Sequence, residues 1–196
     1  MKSRPNLIQL LFWLVATSPT LASAADWLVD ASRSRVGFAY QAMGSDIQGE
    51  FKHYAADVRF DPAHIEATQV KMTIDTNSID AGLPDATSEA LSANFLDVRR
   101  YPQAVFVSRS VRTLGNNRYQ IDGELMLKNQ RRPISLTAML KPEEKGQRMT
   151  GTFQLKRLDY GIGAGMWSDI DTLKNEVRVA FSLLLLPNAK TSGAKK

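Results

Sequence analysis

The strongest constraint in this chain is the alternation on either side of one polar break. From Arg118 the sequence reads RYQIDGELML, then KNQRRP, then ISLTAML. Tyr119, Ile121, Leu125 and Leu127 alternate with polar residues, and Ile134, Leu136, Ala138 and Leu140 do the same beyond the break. A period of two on both sides of a polar turn predicts two adjacent antiparallel strands, each with one face buried. Gly123 stands in the apolar phase, where a large side chain belongs. Gly49 in IQGEF and Gly151 in MTGTF repeat the pattern. Glycine in a strand loses backbone entropy and gives up packing, so three on buried faces need a reason. Either the strands bend there, as barrel corners do, or the missing side chains leave room inside.

The same rhythm covers most of the chain. Trp27 to Ala31, Arg35 to Gln41, Thr68 to Asp75, Gln103 to Arg112, Arg148 to Leu158 and Asn175 to Leu186 read as further strands, with clear alternation in Arg35 to Gln41, Thr68 to Asp75 and Asn175 to Leu186. Asp46 to Phe60 reads as one long strand or a bent pair, with a phase shift at His53–Tyr54 that a bulge would produce. Asp85 to Ala93 breaks the rhythm and predicts one short helix with Asp85 as its N-cap. Gly161 to Asp171 is a glycine-rich loop carrying Met166 and Trp167. Eight or nine antiparallel strands with regular turns predict an all-β sandwich or barrel. About eight strands close into a barrel just wide enough for one ligand, and the inward glycines favour that solution.

The ends read differently. In residues 1–24, Lys2 and Arg4 precede a short apolar run from Leu7 to Ala16, and Ala22-Ser23-Ala24 is a small-residue cleavage site. This three-part pattern predicts a secretory signal peptide, a mature chain starting at Ala25 and a periplasmic location. The apolar run is too short to span a bilayer, which takes about 20 residues. Residues 188–196 are small and basic and predict a disordered tail. That leaves one domain over 25–187. With no cysteine in the chain, an exported protein relies on its core alone. Removing Lys2 and Arg4 lowers the net charge from +5 to +3. This weak bias has no concentrated basic face with interleaved aromatics, so nucleic acid is not an expected partner.

Several segments together resemble one family. They are DWLVDASRSRVGFAY, FKHYAADVRFDP, TNSIDAG, NFLDVRRYP, YQIDGELML with RRPISL, and LKRLDYGI. In this order they are similar to the YceI-like family over nearly all of Asp26 to Leu186. The resemblance implies a periplasmic, lipocalin-like antiparallel barrel that holds a long isoprenoid or fatty chain. Three histidines usual in that family are replaced here: Arg33 stands before the serine of the opening strand, Ala42 or Met43 where that strand turns, and Leu127-Lys128-Asn129 after the central strand. The chain thus resembles a divergent member.

The residues offer little chemistry. His53 and His64 are the only histidines, and no spacing supplies the three protein ligands of a zinc site, so no metal is expected. No nucleophile elbow accompanies a serine. Arg157 beside Asp159 predicts a structural ion pair. Arg131 and Arg132 make a basic turn, either solvated or clamping a phosphate or pyrophosphate head group at the barrel mouth. The aromatics either fill the barrel or line a tunnel. An empty pocket of about 300 Å³ would cost roughly 7 kcal/mol at about 24 cal/mol per Å³. A cavity of that size therefore holds lipid or solvent, or does not exist.

The resulting expectation is a carrier with no catalysis and no covalent cofactor. It would hold an isoprenoid lipid or isoprenoid quinone non-covalently. Phe38, Tyr40, Phe51, Tyr119, Leu125 and Phe153 would line the interior, and Gly49, Gly123 and Gly151 would give it space. Met166 and Trp167 would sit near an opening. Such a protein does not span a membrane but allows transient membrane contact and homodimer formation. The alternative is a packed barrel that meets a protein partner through its loops.

Overall fold

The computed structural model describes residues 25–61 and 64–188. The strand segments are β1 Ala25–Ala42, β2 Ser45–Phe51, β3 Tyr54–Phe60, β4 Gln69–Asp75 and β5 Ile79–Asp80, then β6 Gln103–Gly115, β7 Arg118–Leu127, β8 Gln130–Glu143, β9 Gly146–Lys156 and β10 Glu176–Pro187. One helix, α1 Pro84–Leu91, lies between β5 and β6. Neighbours pair antiparallel in the order β10-β9-β8-β7-β6-β4-β3-β1-β2-β5, and β10 also pairs with β1. The wall therefore closes on itself.

Some segments share one place in the wall. Ala25–Leu28 of β1 pair with Asp57–Phe60 of β3, while Val36–Ala42 pair with Ser45–Phe51 of β2. β2 and β3 are thus halves of one bent strand. β4 and β5 follow them, with Tyr54–Arg59 facing Gln69–Ile74 and Glu50–Phe51 facing Ile79–Asp80. Ten segments make an antiparallel barrel of eight strand positions. The phase shift at His53–Tyr54 is the break between β2 and β3, not a bulge. The bulge lies in β1 between Asp30 and Arg35. It fuses two expected strands into one of 18 residues. The Asp30 carboxylate holds the bulge together, accepting from the Ser32 amide and hydroxyl and from Arg33 Nε at 2.7 Å.

The polar break of the central hairpin is shorter than its composition suggests. Only Lys128 and Asn129 turn, both with positive φ, and Pro133 already lies in β8 opposite Glu124. A two-residue turn with both residues left-handed matches the twist of the strands it joins. Asn116 and Asn117 form the same kind of turn between β6 and β7. The helix also differs from expectation. It starts at Pro84 with Leu83 as N-cap and no side-chain cap, and Asp85 lies in its first turn. Proline at the first helical position lacks only an amide that would go unpaired there. Residues 1–24 and 189–196, expected as leader and tail, lie outside the described residues. Asn188 is still held, its amide donating to the Asp26 carbonyl at 2.8 Å.

Inward residues form two packed clusters, one towards each end of the barrel. The first includes Val36, Val58, Val70, Ile121, Leu136, Met149 and Leu185. The second includes Leu96, Val98, Ala104, Leu125, Leu127 and Tyr160 and lies beneath α1 and the segment after it. Phe51, Ile74, Phe106, Ile134 and Phe153 pack against both clusters and form the waist between them.

Candidate functional site

The barrel interior is the candidate site. Its waist residues face inward on a closed wall, yet all five are only half-buried. Part of each of these side chains is thus left uncovered by the core packing. The alternating sequence builds this directly, since every second residue of each strand points inside.

The three inward glycines have a common role. A methyl group at Gly123 would lie 2.5 Å from Phe106 Cζ and 2.5 Å from the Val107 carbonyl oxygen. One at Gly49 would strike Phe38 and the Asp80 carbonyl, and one at Gly151 would strike Phe181 and the Thr137 carbonyl. Phe38 and Phe181 sit directly across from their glycines, and Phe106 sits two pairs away along the strand, on the same face. Each glycine thus lets a neighbouring phenylalanine lie against the wall instead of projecting into the lumen. β6 also carries a register shift between Ser108 and Ser110, beside Gly123, so bending and room coincide there.

At the end near the start of β1, a cavity of about 20 Å³ is bounded by Trp27, Phe60, Val70, Tyr119, Leu140 and Met149 among others. Its surface is apolar throughout. Phe60 and Tyr119 meet there edge to face, 5.7 Å between centroids. A larger concavity of about 760 Å³ is flanked by Asp57, Arg59, Glu66, Lys71 and Arg109 and shares Trp27, Val58, Thr68 and Val70 with the inner cavity. Its rim is charged, so the inside of the barrel is the better site for an apolar ligand.

The opposite end is capped. Lys128 Nζ donates to the carbonyls of Ala93 and Gly161, each at 2.9 Å. It therefore ties the segment after α1 to the loop after β9, at a place where the YceI-like pattern has histidine. Arg157 is 2 % exposed. Its guanidinium donates to the carbonyls of Lys174, Ile162, Gly163 and Leu173. Burial pushes its pKa down. The expected Arg157–Asp159 pair does not form. Asp159 points to solvent, because β9 ends in a 3-10 turn over Arg157–Tyr160 that places the two on different sides.

Of the other expected site residues, Phe51, Tyr119, Leu125 and Phe153 pack in the interior. Phe38 covers Gly49 and lies 5.4 Å from Phe51. Tyr40 turns its hydroxyl to the Ala81 carbonyl at 2.9 Å, and burial raises its pKa. Met166 does not line the lumen. Its loop turns outward at Gly163 and Gly165, both with positive φ, and leaves Met166 81 % exposed. Trp167 packs edge to face on Phe95. The two head-group arginines separate, because neighbours in a strand point to opposite faces. Arg131 lies outside and pairs with Glu124 at 3.3 Å. Arg132 sits opposite Leu125, in the inward phase at the rim. Both histidines are exposed; His64 pairs with Asp61 at 3.3 Å. Among the described residues, no three of His, Asp and Glu stand together as a metal site.

Tyr160 and Trp27 were not legible as site residues. Their hydroxyl and indole N–H are buried and meet no hydrogen-bond partner. For the first, its place at the end of the Arg157–Tyr160 turn was the available signal.

Comparison with known proteins places these features. The YceI-like domain matches residues 27–185. UPF0312 proteins of Vibrio cholerae are 31 % identical over 169 residues, covering 80 % of this chain and 89 % of theirs. The crystal structure of BcnA from Burkholderia cenocepacia superposes with a TM-score of 0.76 at 30 % identity, covering 79 % of this chain and 98 % of that one. A polyisoprenoid binding domain from Saccharophagus degradans, implicated in plant cell wall breakdown, shares the fold with a TM-score of 0.64 at 16 % identity, covering 85 % and 100 %.

Proposed function

The chain belongs to the YceI-like domain family, and on that premise we propose that it is a periplasmic carrier for a long-chain isoprenoid lipid, a polyprenyl chain or a quinone. It performs no chemistry on its cargo. The observation that carries this reading is the half-buried waist inside a closed wall. Apolar surface kept from its own packing inside a barrel gains about 25 cal/mol per Å² when a chain covers it. The Saccharophagus degradans domain, described as binding polyisoprenoid, supports the same class of cargo. The leader pattern of residues 1–24 supports export.

No helix among the described residues is long and apolar enough to cross a membrane. Loading would use transient contact with a membrane surface. Met43, Met166 and Ile170 are exposed at the capped end, where the Met43 amide is tied to the Thr172 carbonyl. These same side chains would serve the second reading, a packed module that meets a protein partner or a second copy of itself.

Chain length separates the two. Each buried CH₂ contributes about 0.8 kcal/mol, so each added isoprene should tighten binding by tenfold or more until the lumen is full. Titration of the mature protein with prenyl alcohols of increasing length is expected to show that rise and then a plateau. Equal, weak binding at every length would sink the carrier reading and leave the packed module.

A further inference from the structure

We propose that cargo enters and leaves through a side portal in the barrel wall, the seam between β4 and β6 beside Ser108. This rests on the carrier reading. The wall is closed but not evenly bonded. β4 and β6 pair from Asp75–Gln103 to Lys71–Val107, and there the ladder ends. β6 runs on to Gly115 with β7 as its only strand partner among the described residues. On its other side stands a 3-10 turn, Ile65–Ala67, whose Ile65 packs on the first core cluster. One step beyond the last pair, the Val70 amide donates to a side chain, the Ser108 hydroxyl, at 2.8 Å. β6 is irregular at the same point, with a register shift between Ser108 and Ser110 on its β7 side.

The seam stands between the apolar interior and solvent. Thr68 and Val70, on its β4 side, line the inner cavity and the larger concavity alike, as do Trp27 and Val58. On the β6 side Val107 and Ser108 line the concavity and Val111 lines the cavity. The two spaces therefore adjoin here. Leu28 and Val107, 48 % and 46 % exposed, face the concavity and give an apolar chain a surface to settle on before it enters. An isoprenoid chain passes here by parting side chains and one hydrogen bond to a hydroxyl, with no strand ladder between β4 and β6 to break. The opposite end offers no such route, because Lys128 and Arg157 bind the loops over it through backbone carbonyls.

A reversible staple tests this. The chain has no cysteine, and Lys71 and Val107 are paired and exposed on the outer face. Directly opposite residues of antiparallel strands stand about 4.5–5.5 Å apart, within reach of a disulfide. Lys71→Cys with Val107→Cys locks the last pair of the seam without filling the interior. Thr137→Cys with Thr152→Cys, paired and exposed on β8 and β9, is the control. The probe is a ubiquinone with a farnesyl tail. Its uptake is read in stopped flow by quenching of Trp27, which lines both spaces, in a Trp167→Phe background of the mature protein. Oxidation should slow uptake by about tenfold in the seam variant, a modest rise in the barrier to opening, and reduction should restore it. The control should keep one rate in both states. Equilibrium affinity should not change, because the staple lies outside the lumen. Ser108→Ala, which removes the tie to Val70, should speed uptake severalfold. An unchanged rate in the oxidised seam variant, or equal slowing by both staples, overturns the portal, as does an unchanged rate in Ser108→Ala. Those results leave the carrier reading standing. Failure of the quinone to bind wild type overturns both.

Discussion

Replacing Arg157 by methionine is expected to lower stability by more than about 3 kcal/mol, the largest effect of any single substitution proposed for this chain. The stem would be kept and the hydrogen bonds lost. Four backbone carbonyls, those of Lys174, Ile162, Gly163 and Leu173, face this guanidinium, three of them within 3.1 Å. Hydrogen bonds to a charged donor contribute about 1.5–3 kcal/mol each, and a buried carbonyl left unpaired costs about 1–3 kcal/mol. Some acceptors will find water once the loop loosens, which is why the estimate stays below the full sum. Gly163 shows how closely the loop is fitted: a methyl group there would collide with Arg157 Nη1. Arg157→Lys should recover only part of the loss, because an ammonium presents its donors at one point and not along a fork. Urea denaturation of both variants measures this. A methionine variant within about 1 kcal/mol of wild type would show that the carbonyls are satisfied some other way.

Replacing Gly123 by alanine should destabilise the protein by about 1–3 kcal/mol, the usual cost of forcing atoms into a filled site. The new methyl would meet Phe106 Cζ and the Val107 carbonyl oxygen, both at 2.5 Å. The ring can swing aside, but the carbonyl belongs to the paired wall of β6 and β7 and cannot. The two contacts can be told apart with a second substitution. Phe106→Leu in the alanine background should restore part of the stability by removing the ring contact. If Gly123→Ala is neutral, the wall yields to the methyl and the glycine is not required for space; its backbone is outside the left-handed region, so it does not require glycine either. The carrier reading adds a further expectation: Phe106, driven off the wall by the methyl, should occupy lumen space and weaken cargo binding by more than stability alone explains.

The alternation that opened the reading survives almost residue by residue in β7 and β8, because a half-buried strand leaves a period of two in its sequence. The strand count was harder to read. β1 looks like two strands, since the Asp30–Arg35 bulge removes the alternation that would have joined them. The glycines showed that something required space, but the partner could not be named. Which phenylalanine covers which glycine depends on register, and register across strands is not written in either strand alone. Arg157 drew attention through a neighbouring aspartate. Its real partners are backbone carbonyls, which have no residue identity and leave no trace in the sequence. For the same reason Lys128 looked like part of a basic turn, and the structure makes it a clamp. Arg131 and Arg132 looked like a pair because they are adjacent, and adjacency within a strand is what separates them.

The most direct test of the central claim is native mass spectrometry of the mature protein purified from the periplasm, followed by organic extraction and lipid analysis. The account expects one isoprenoid lipid per protein. A clean mass without cargo, unchanged after incubation with isoprenoid quinones and polyprenyl phosphates, would contradict it and make this barrel a packed interaction module.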